Sequence, residues 1–166
     1  MHKDTRIVTY IDNFLSKDEL DNLQKKAVAF DYNSNINDTG HYGFTYEFPL
    51  ENIKNDPILS KVKKSFGIGK NMKEYLVRFH LRYNTNKPLP HYDENTYVFL
   101  LYLKGEPLLN NGTGFYTDKG SLSSHIGFLE NRALFFNGDK ILHTNLQSFG
   151  DSSPRYSLNI FFQQNE

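Results

Sequence analysis

The sequence predicts a mainly β protein, a sandwich or barrel of short strands with helices flanking it on the N-terminal side. Three observations carry this expectation. From Lys73 onward, strand-like runs recur at close spacing between turn signals such as Asn131-Arg132 and Asn137-Gly138. One long run, Tyr75 to Tyr83, alternates apolar and polar side chains with the period of two that a half-buried strand shows. Ahead of residue 67 the period is helical instead, in two apolar stripes that each follow a helix-start signal.

The chain of 166 residues suits one domain over 1–166, with the β core at about 75–163 and helical support in 1–72. Fourteen Phe and eleven Tyr supply aromatic rings for its interior. Nineteen basic side chains balance nineteen acidic ones, so nothing global draws the chain to nucleic acid or an anionic membrane. The absence of cysteine excludes disulfides, thiolate chemistry and Cys-ligated zinc. No signal peptide is visible, and the apolar run Tyr97 to Leu103 is too short to cross a bilayer. A cytoplasmic protein is expected. Abundant Asn, Lys, Ile, Phe and Tyr beside scarce Ala point to an A/T-rich coding gene, which a viral origin would fit.

In chain order, residues 6–11 read as a short strand. Ser16 and Glu19 form a capping box, and Leu20, Leu23, Ala27 and Phe30 give the helix behind it an apolar stripe that should end near Phe30. Residues 31–41 are rich in Asn, Asp and Gly without periodicity and read as a loop, a candidate binding loop or lid. Tyr42 to Phe48 alternates weakly. Asp56-Pro57 starts a second helix that buries Ile58, Leu59, Val62 and Phe66 and ends at Gly67. The lysines at 61, 63, 64, 70 and 73 read as a solvated face.

In the strand that follows, Tyr75, Val77, Phe79, Leu81 and Tyr83 share one face, and Leu76, Arg78, His80 and Arg82 share the other. The second face reads as solvated, and His80 on it as an ordinary exposed or cross-strand histidine. Residues 84–90 form a loop with two prolines. Tyr97 to Leu103 should be a strand buried on both faces. Further strands are expected at 112–116, 126–129, 133–136 and 141–143, with a last one from Arg155 to Phe162.

The chemistry-bearing residues lie in this second half. His91 and Asp93 are two apart, which on an extended strand puts both side chains on one face. His143 sits in another strand-like stretch. Two histidines and one carboxylate make the facial triad of non-haem Fe(II) oxygenases, which leaves three metal positions open. In the last strand Arg155, Ser157, Asn159 and Phe161 share a face, so Arg155 and Ser157 can address one carboxylate together, the guanidinium as a bidentate fork. The phenol of Tyr83 can donate to the same group.

The set His91-x-Asp93, His143 and Arg155-x-Ser157 resembles the motifs of Fe(II)/2-oxoglutarate-dependent oxygenases. Leu81-Arg82-Tyr83-Asn84, Gly112-Thr113-Gly114-Phe115, Ala133 to Asn137 and the ending Arg155-Tyr156-Ser157-Leu158 resemble the prolyl 4-hydroxylase-like branch in particular. The resemblance covers about residues 75–163. It implies a double-stranded β-helix, or jelly roll, with iron held by His91, Asp93 and His143, which are also its catalytic residues. It implies that Arg155 binds the distal carboxylate of 2-oxoglutarate, with Tyr83 and Ser157 assisting, and that dioxygen is the second co-substrate. The implied reaction hydroxylates an unactivated C–H bond, of a peptidyl proline or another peptide, protein or small-molecule group, with release of succinate and CO2. The retained Asp93 favours hydroxylation over halogenation. Arg155 stands where collagen-type relatives carry Lys, and Asn84 where many carry Gly, so proline is not fixed as the substrate.

Two other readings stay open. One is a cupin-like jelly roll that binds a metal or ligand without turnover, for which Arg155-x-Ser157 has no clear use. The other is a metal-dependent enzyme that does not use 2-oxoglutarate. Substrate choice is expected to lie in loops 31–41 and 84–90.

Overall fold

A computed structural model describes residues 7–37, 40–83, 89–108, 111–145 and 154–164. Ten strands and three helices follow in the order β1 (Thr9–Ile11), α1 (Lys17–Ala29), β2 (Asn33–Asn37), β3 (Gly40–Glu47), α2 (Leu50–Lys54), α3 (Pro57–Ser65), β4 (Met72–Arg82), β5 (Tyr97–Lys104), β6 (Thr113–Tyr116), β7 (Leu122–Ile126), β8 (Ala133–Asn137), β9 (Leu142–Asn145) and β10 (Arg155–Gln164). The strands form two antiparallel sheets, a large one in the order β1-β8-β5-β10-β4-β3-β2 and a small one in the order β7-β6-β9. This is a jelly roll, as the resemblance implied. Among the described residues no helix is long and apolar enough to cross a membrane.

The helices begin where their caps dictate. Ser16 Oγ accepts from the Glu19 amide at 3.3 Å, and Glu19 Oε2 accepts from the Ser16 amide at 2.7 Å. Two otherwise orphaned donors are thereby satisfied. Asp56 caps α3 through the Ile58 amide at 2.9 Å, with Pro57 in the first turn. Gly67, at φ 64°, takes the left-handed turn that ends this helix, a conformation costly for a residue with a Cβ. The short α2 was not foreseen, being too brief for a helical period to show.

α1 and α3 pack on one face of the large sheet. Leu20, Ala27, Ile58, Leu59 and Val62 meet Val77, Phe79, Phe99, Leu101, Leu158, Ile160 and Phe162 in a single apolar cluster. Burying each large side chain there is worth about 1.5–3 kcal/mol relative to exposing it. Polar ties fix the layer: Gln24 donates to Leu103 O at 2.6 Å, and Lys63 pairs with Glu74 at 2.7 Å. So the lysine face is not wholly solvated. The other face of the sheet meets β6 and β9 across a second cluster that includes Leu100, Tyr102, Phe115, Leu134 and Phe136.

The structure corrects three expectations. Residues 33–37 and 40–47 are strands, paired as an edge hairpin that joins β4, so most of the expected loop 31–41 belongs to the sheet. Backbone ladder bonds hold this Asn-rich edge, and they need no apolar alternation. The strand expected at 126–129 is instead Leu122–Ile126, a largely exposed strand. The apolar Phe128 that suggested otherwise packs into the second cluster from non-strand backbone. The face of β4 expected to meet solvent does so only in part: Arg78 stays partly exposed in a pair with Glu47, whereas His80 and Arg82 are buried and line a cavity between the sheets. Most of loop 84–90 lies outside the described residues.

Candidate metal centre and anion pocket

The cavity has a volume of about 400 Å³. At one part of its wall, His91, Asp93 and His143 converge. One nitrogen from each imidazole and one oxygen of the carboxylate all lie within 4.8 Å of one another. His91-Tyr92-Asp93 is not a continuous strand. His91 alone forms a bridge with His143: its amide donates to His143 O at 3.0 Å, and its carbonyl accepts from the His143 amide at 3.1 Å. The pairing sets the imidazoles beside each other, ring centroids 4.7 Å apart. Asp93 is fixed separately, by its amide bonding Gly138 O at 3.0 Å. Gly138 is needed for this approach, since a Cβ there would lie 3.0 Å from Asp93 Cβ and 3.1 Å from Val98 Cγ2.

The outer nitrogens are already engaged. His91 Nδ1 meets Leu89 O at 3.0 Å, and His143 Nδ1 meets Ile141 O at 2.8 Å. A carbonyl can only accept, so each Nδ1 carries the proton and each Nε2 presents a lone pair. Those two nitrogens face the Asp93 carboxylate, at 3.8 Å from His91 and 3.3 Å from His143. Lone pairs facing one another repel unless a cation lies between them. The set therefore fits a metal ion, with backbone carbonyls orienting the ligating imidazoles as outer-shell partners do.

The protonation states agree. Burial, and then the neighbouring His143 ring, lower the pKa of His91 and favour its neutral form. Burial alone would raise the pKa of Asp93, but the His143 contact and the nearby positive charges outweigh it and hold the carboxyl below its usual range. Neutral imidazole and ionised carboxylate are the forms a cation binds.

β10 runs along the same wall. Arg155, Ser157, Asn159 and Phe161 all line the cavity, on the shared face that their spacing predicted. Arg155 is 2% exposed. Its guanidinium lies 5.2 Å over the Tyr102 ring and donates to Asn111 O at 3.0 Å and Gly112 O at 3.3 Å. A stacked, anchored guanidinium is pre-organised for a bidentate anion. Ser157, 1% exposed, donates to Asn159 Oδ1 at 3.3 Å.

Tyr83 falls elsewhere. It follows β4, is 39% exposed, and stands edge-on to Phe44 with ring centroids 5.8 Å apart rather than in the cavity lining. Arg82, directly paired with Arg155 across the β4–β10 ladder, occupies the wall instead. The side chains that sequence reasoning missed are Arg82, His80 and Tyr102. The signal for Tyr102 was a hydroxyl inside an apolar run, which needs a partner when buried. It finds Thr113 Oγ1 at 2.7 Å.

No family model and no curated relative matches the sequence significantly. Solved structures match the fold. A prolyl-4-hydroxylase from Pseudomonas putida aligns at TM-score 0.72 and 15% identity, over 98% of this chain and 95% of that one. A Trichoplax adhaerens prolyl hydroxylase, in complex with a hypoxia inducible factor oxygen degradation domain peptide fragment, aligns at 0.73 and 11% identity over 97% and 85%. HygX from Streptomyces hygroscopicus, with nickel, 2-oxoglutarate and hygromycin B bound, aligns at 0.71 and 10% identity over 97% and 84%. The chain thus has the jelly-roll fold of the 2-oxoglutarate-dependent oxygenases.

Proposed function

We propose that the chain is an Fe(II)- and 2-oxoglutarate-dependent dioxygenase that hydroxylates an unactivated C–H bond of a peptide, protein or small molecule, releasing succinate and CO2. One observation carries the reading: two Nε2 lone pairs and a carboxylate converge on the wall of the same cavity that holds the buried, stacked Arg155. In this reading His91, Asp93 and His143 hold the iron. Arg155 holds the distal carboxylate of 2-oxoglutarate, with Ser157 beside it as an added donor. Tyr102 supports the clamp from below.

When bound, iron with its 2-oxo acid and dioxygen supplies the oxidising power for C–H cleavage, which no side chain here has. The chain's own part is orientation. Arg155 and the triad line one cavity, so a dicarboxylate seated on the guanidinium extends towards the metal. On the β4 and β10 walls Arg82, Arg155 and Ser157 are buried, so the anion pocket is better shielded from water than the metal set. A cupin-like binder has no use for a buried cation in this position.

The test is anaerobic addition of Fe(II) and then 2-oxoglutarate, followed in the visible. A weak charge-transfer band should appear on adding the 2-oxo acid. If iron binds and no band appears, the chain is a metal-binding jelly roll or an enzyme of another class.

A further inference from the structure

The large sheet lines the cavity in rows that run across its strands, and the strand registers set them. At one end Arg82 of β4 faces Arg155 of β10. At the other end Leu76 of β4 faces Phe161 of β10, Phe161 faces Val98 of β5, and Val98 faces Phe136 of β8. Directly opposed residues share a face, and all six line the cavity. One end is therefore cationic and the other apolar, with Ser157 and Asn159 between them on β10.

The metal set borders the apolar row. His143 packs against Phe136 with ring centroids 4.7 Å apart. Asp93 and Val98 meet at Gly138, where an added Cβ would lie 3.0 Å from Asp93 Cβ and 3.1 Å from Val98 Cγ2. On the reading above, 2-oxoglutarate takes the Arg155 end. The apolar end is left to the primary substrate.

A β-bulge completes that end. In the β4–β10 ladder Leu76 faces Phe161 and Glu74 faces Phe162, so the ladder passes over Tyr75. Strict alternation would put Tyr75 with Val77 on the helix-facing side, yet Tyr75 and its neighbour Leu76 both line the cavity. Bulges re-aim side chains in this way and are common beside active sites. The Tyr75 phenol is tied to Thr96 Oγ1 at 2.8 Å, and its ring centroid lies 6.4 Å from that of Phe161. Tyr75 is 37% exposed and Arg155 2%, so the cavity is more open at the apolar end.

The apolar row offers a substrate no charge. Arg78, the next cavity residue of β4, is already paired: Glu47 Oε1 accepts from its Nε at 3.1 Å and its Nη2 at 2.6 Å. A charged or amide-bearing group pressed onto Leu76, Phe161 and Val98 would lose water and gain no partner from them. We propose that the group presented for reaction is an uncharged hydrocarbon side chain, held by Tyr75, Leu76 and Phe161, and that the bulged Tyr75 sets this preference. The proposal rests on the function proposed above and names the substrate class for it.

The test uses the full chain with Mn(II) and saturating 2-oxoglutarate, without dioxygen, so that no turnover occurs. The probes are two pairs of near-isosteres: the N-acetyl amides of leucine and asparagine, and those of valine and threonine. Relaxation of probe protons by the paramagnetic Mn(II) reads both binding and orientation. In at least one pair the apolar member should bind about fivefold or more tightly, the lower end of the cost of burying an unpartnered polar group. Its side-chain methyls should relax faster than its acetyl methyl. In Tyr75→Ala the preference should fall to within about twofold, while 2-oxoglutarate affinity stays at wild type. Tyr75→Gln, which puts a polar chain on the same wall, should cancel the preference too and serves if the Ala variant does not fold. Equal binding within both pairs, or no binding of any probe, overturns the proposal. So does an acetyl methyl that relaxes faster than the side-chain methyls, or a preference that Tyr75→Ala leaves at wild type. If wild-type protein with Mn(II) fails to bind 2-oxoglutarate before any probe is added, the parent reading has failed, and the two failures are thus distinct.

Discussion

Strands β4 and β10 have two faces with opposite characters, though the same backbone makes both. One face carries Val77, Phe79, Leu158, Ile160 and Phe162 and is sealed under α1 and α3. The other carries Arg78, His80, Arg82, Arg155, Ser157 and Asn159 and walls the cavity. Each polar residue has immediate chain neighbours on the apolar face. The rigidity that holds a guanidinium in place therefore comes from packing on the reverse side of the same strand. The cavity face can afford buried charge because the helix face supplies the burial energy.

Substitutions on the two faces should therefore fail differently. The largest effect belongs to the cavity. Asp93→Ala removes the one carboxylate of the metal set and leaves two imidazoles. Iron affinity should drop by more than the 10–100-fold that loss of an outer-shell partner costs, and turnover should vanish with it. Thermal stability of the metal-free protein should hardly change. Equilibrium dialysis with iron, beside a melting curve, checks both, and full hydroxylation by this variant would remove Asp93 from the triad.

The reverse face should show the opposite pattern. Ile160, fully buried, sits between the cavity residues Asn159 and Phe161. Ile160→Ala should cost about 2–5 kcal/mol of stability, read by urea denaturation. The fraction that remains folded should bind 2-oxoglutarate as the wild type does. A large loss of co-substrate affinity at unchanged stability would show that the two faces are not separable in this way.

Back on the cavity face, Arg155→Ala deletes a charge-assisted anchor worth about 1.5–3 kcal/mol, so 2-oxoglutarate should bind about 10- to 150-fold more weakly while iron binding is kept. Titration of the visible band reports it. An unchanged affinity would leave Arg155 as a structural arginine that only braces the Asn111–Gly112 backbone.

How far this division could be read in the sequence follows from what alternation encodes. Period two says which residues share a face, and it grouped Arg155, Ser157, Asn159 and Phe161 correctly. It does not say what covers that face. Arg78, His80 and Arg82 are polar, and a polar strand face ordinarily meets water, so the face was expected to be solvated. In the fold, the small sheet β7-β6-β9 stands over it and water becomes cavity. The end of β4 failed for a related reason. Strand phase placed Tyr83 beside the apolar residues, but the chain leaves the sheet after Arg82, and alternation loses its meaning there. A strand neighbouring His91 was expected to bring His143, but the direct His91–His143 register was not legible, because register between strands is a property of topology rather than of local pattern. The capping box at Ser16 and Glu19 was fully legible, since both partners lie within one turn.

The smallest expected effect tests whether the enclosed face is as dry as it looks. Burial first, then the charges of Arg82, Arg78 and Arg155, hold the pKa of His80 well below 6.5. Its ring is neutral in the folded state and takes up a proton on unfolding wherever the pH is below 6.5. The unfolded chain then binds more protons than the folded one, so stability must fall as the pH drops from 6.5 towards the depressed folded value. Each such group contributes a slope of at most about 1.4 kcal/mol per pH unit. His91, lowered by burial and His143, acts in the same direction. The lowered pKa of Asp93 acts only at more acid pH, below 3.8. Urea denaturation of the metal-free protein at pH 7 and pH 5 should show lower stability at pH 5. His80→Gln, which keeps an acceptor for Arg82 but cannot titrate, should flatten part of that dependence. An unchanged slope in this variant would mean that His80 is hydrated and titrates freely, and that the polar face of β4 is solvated after all.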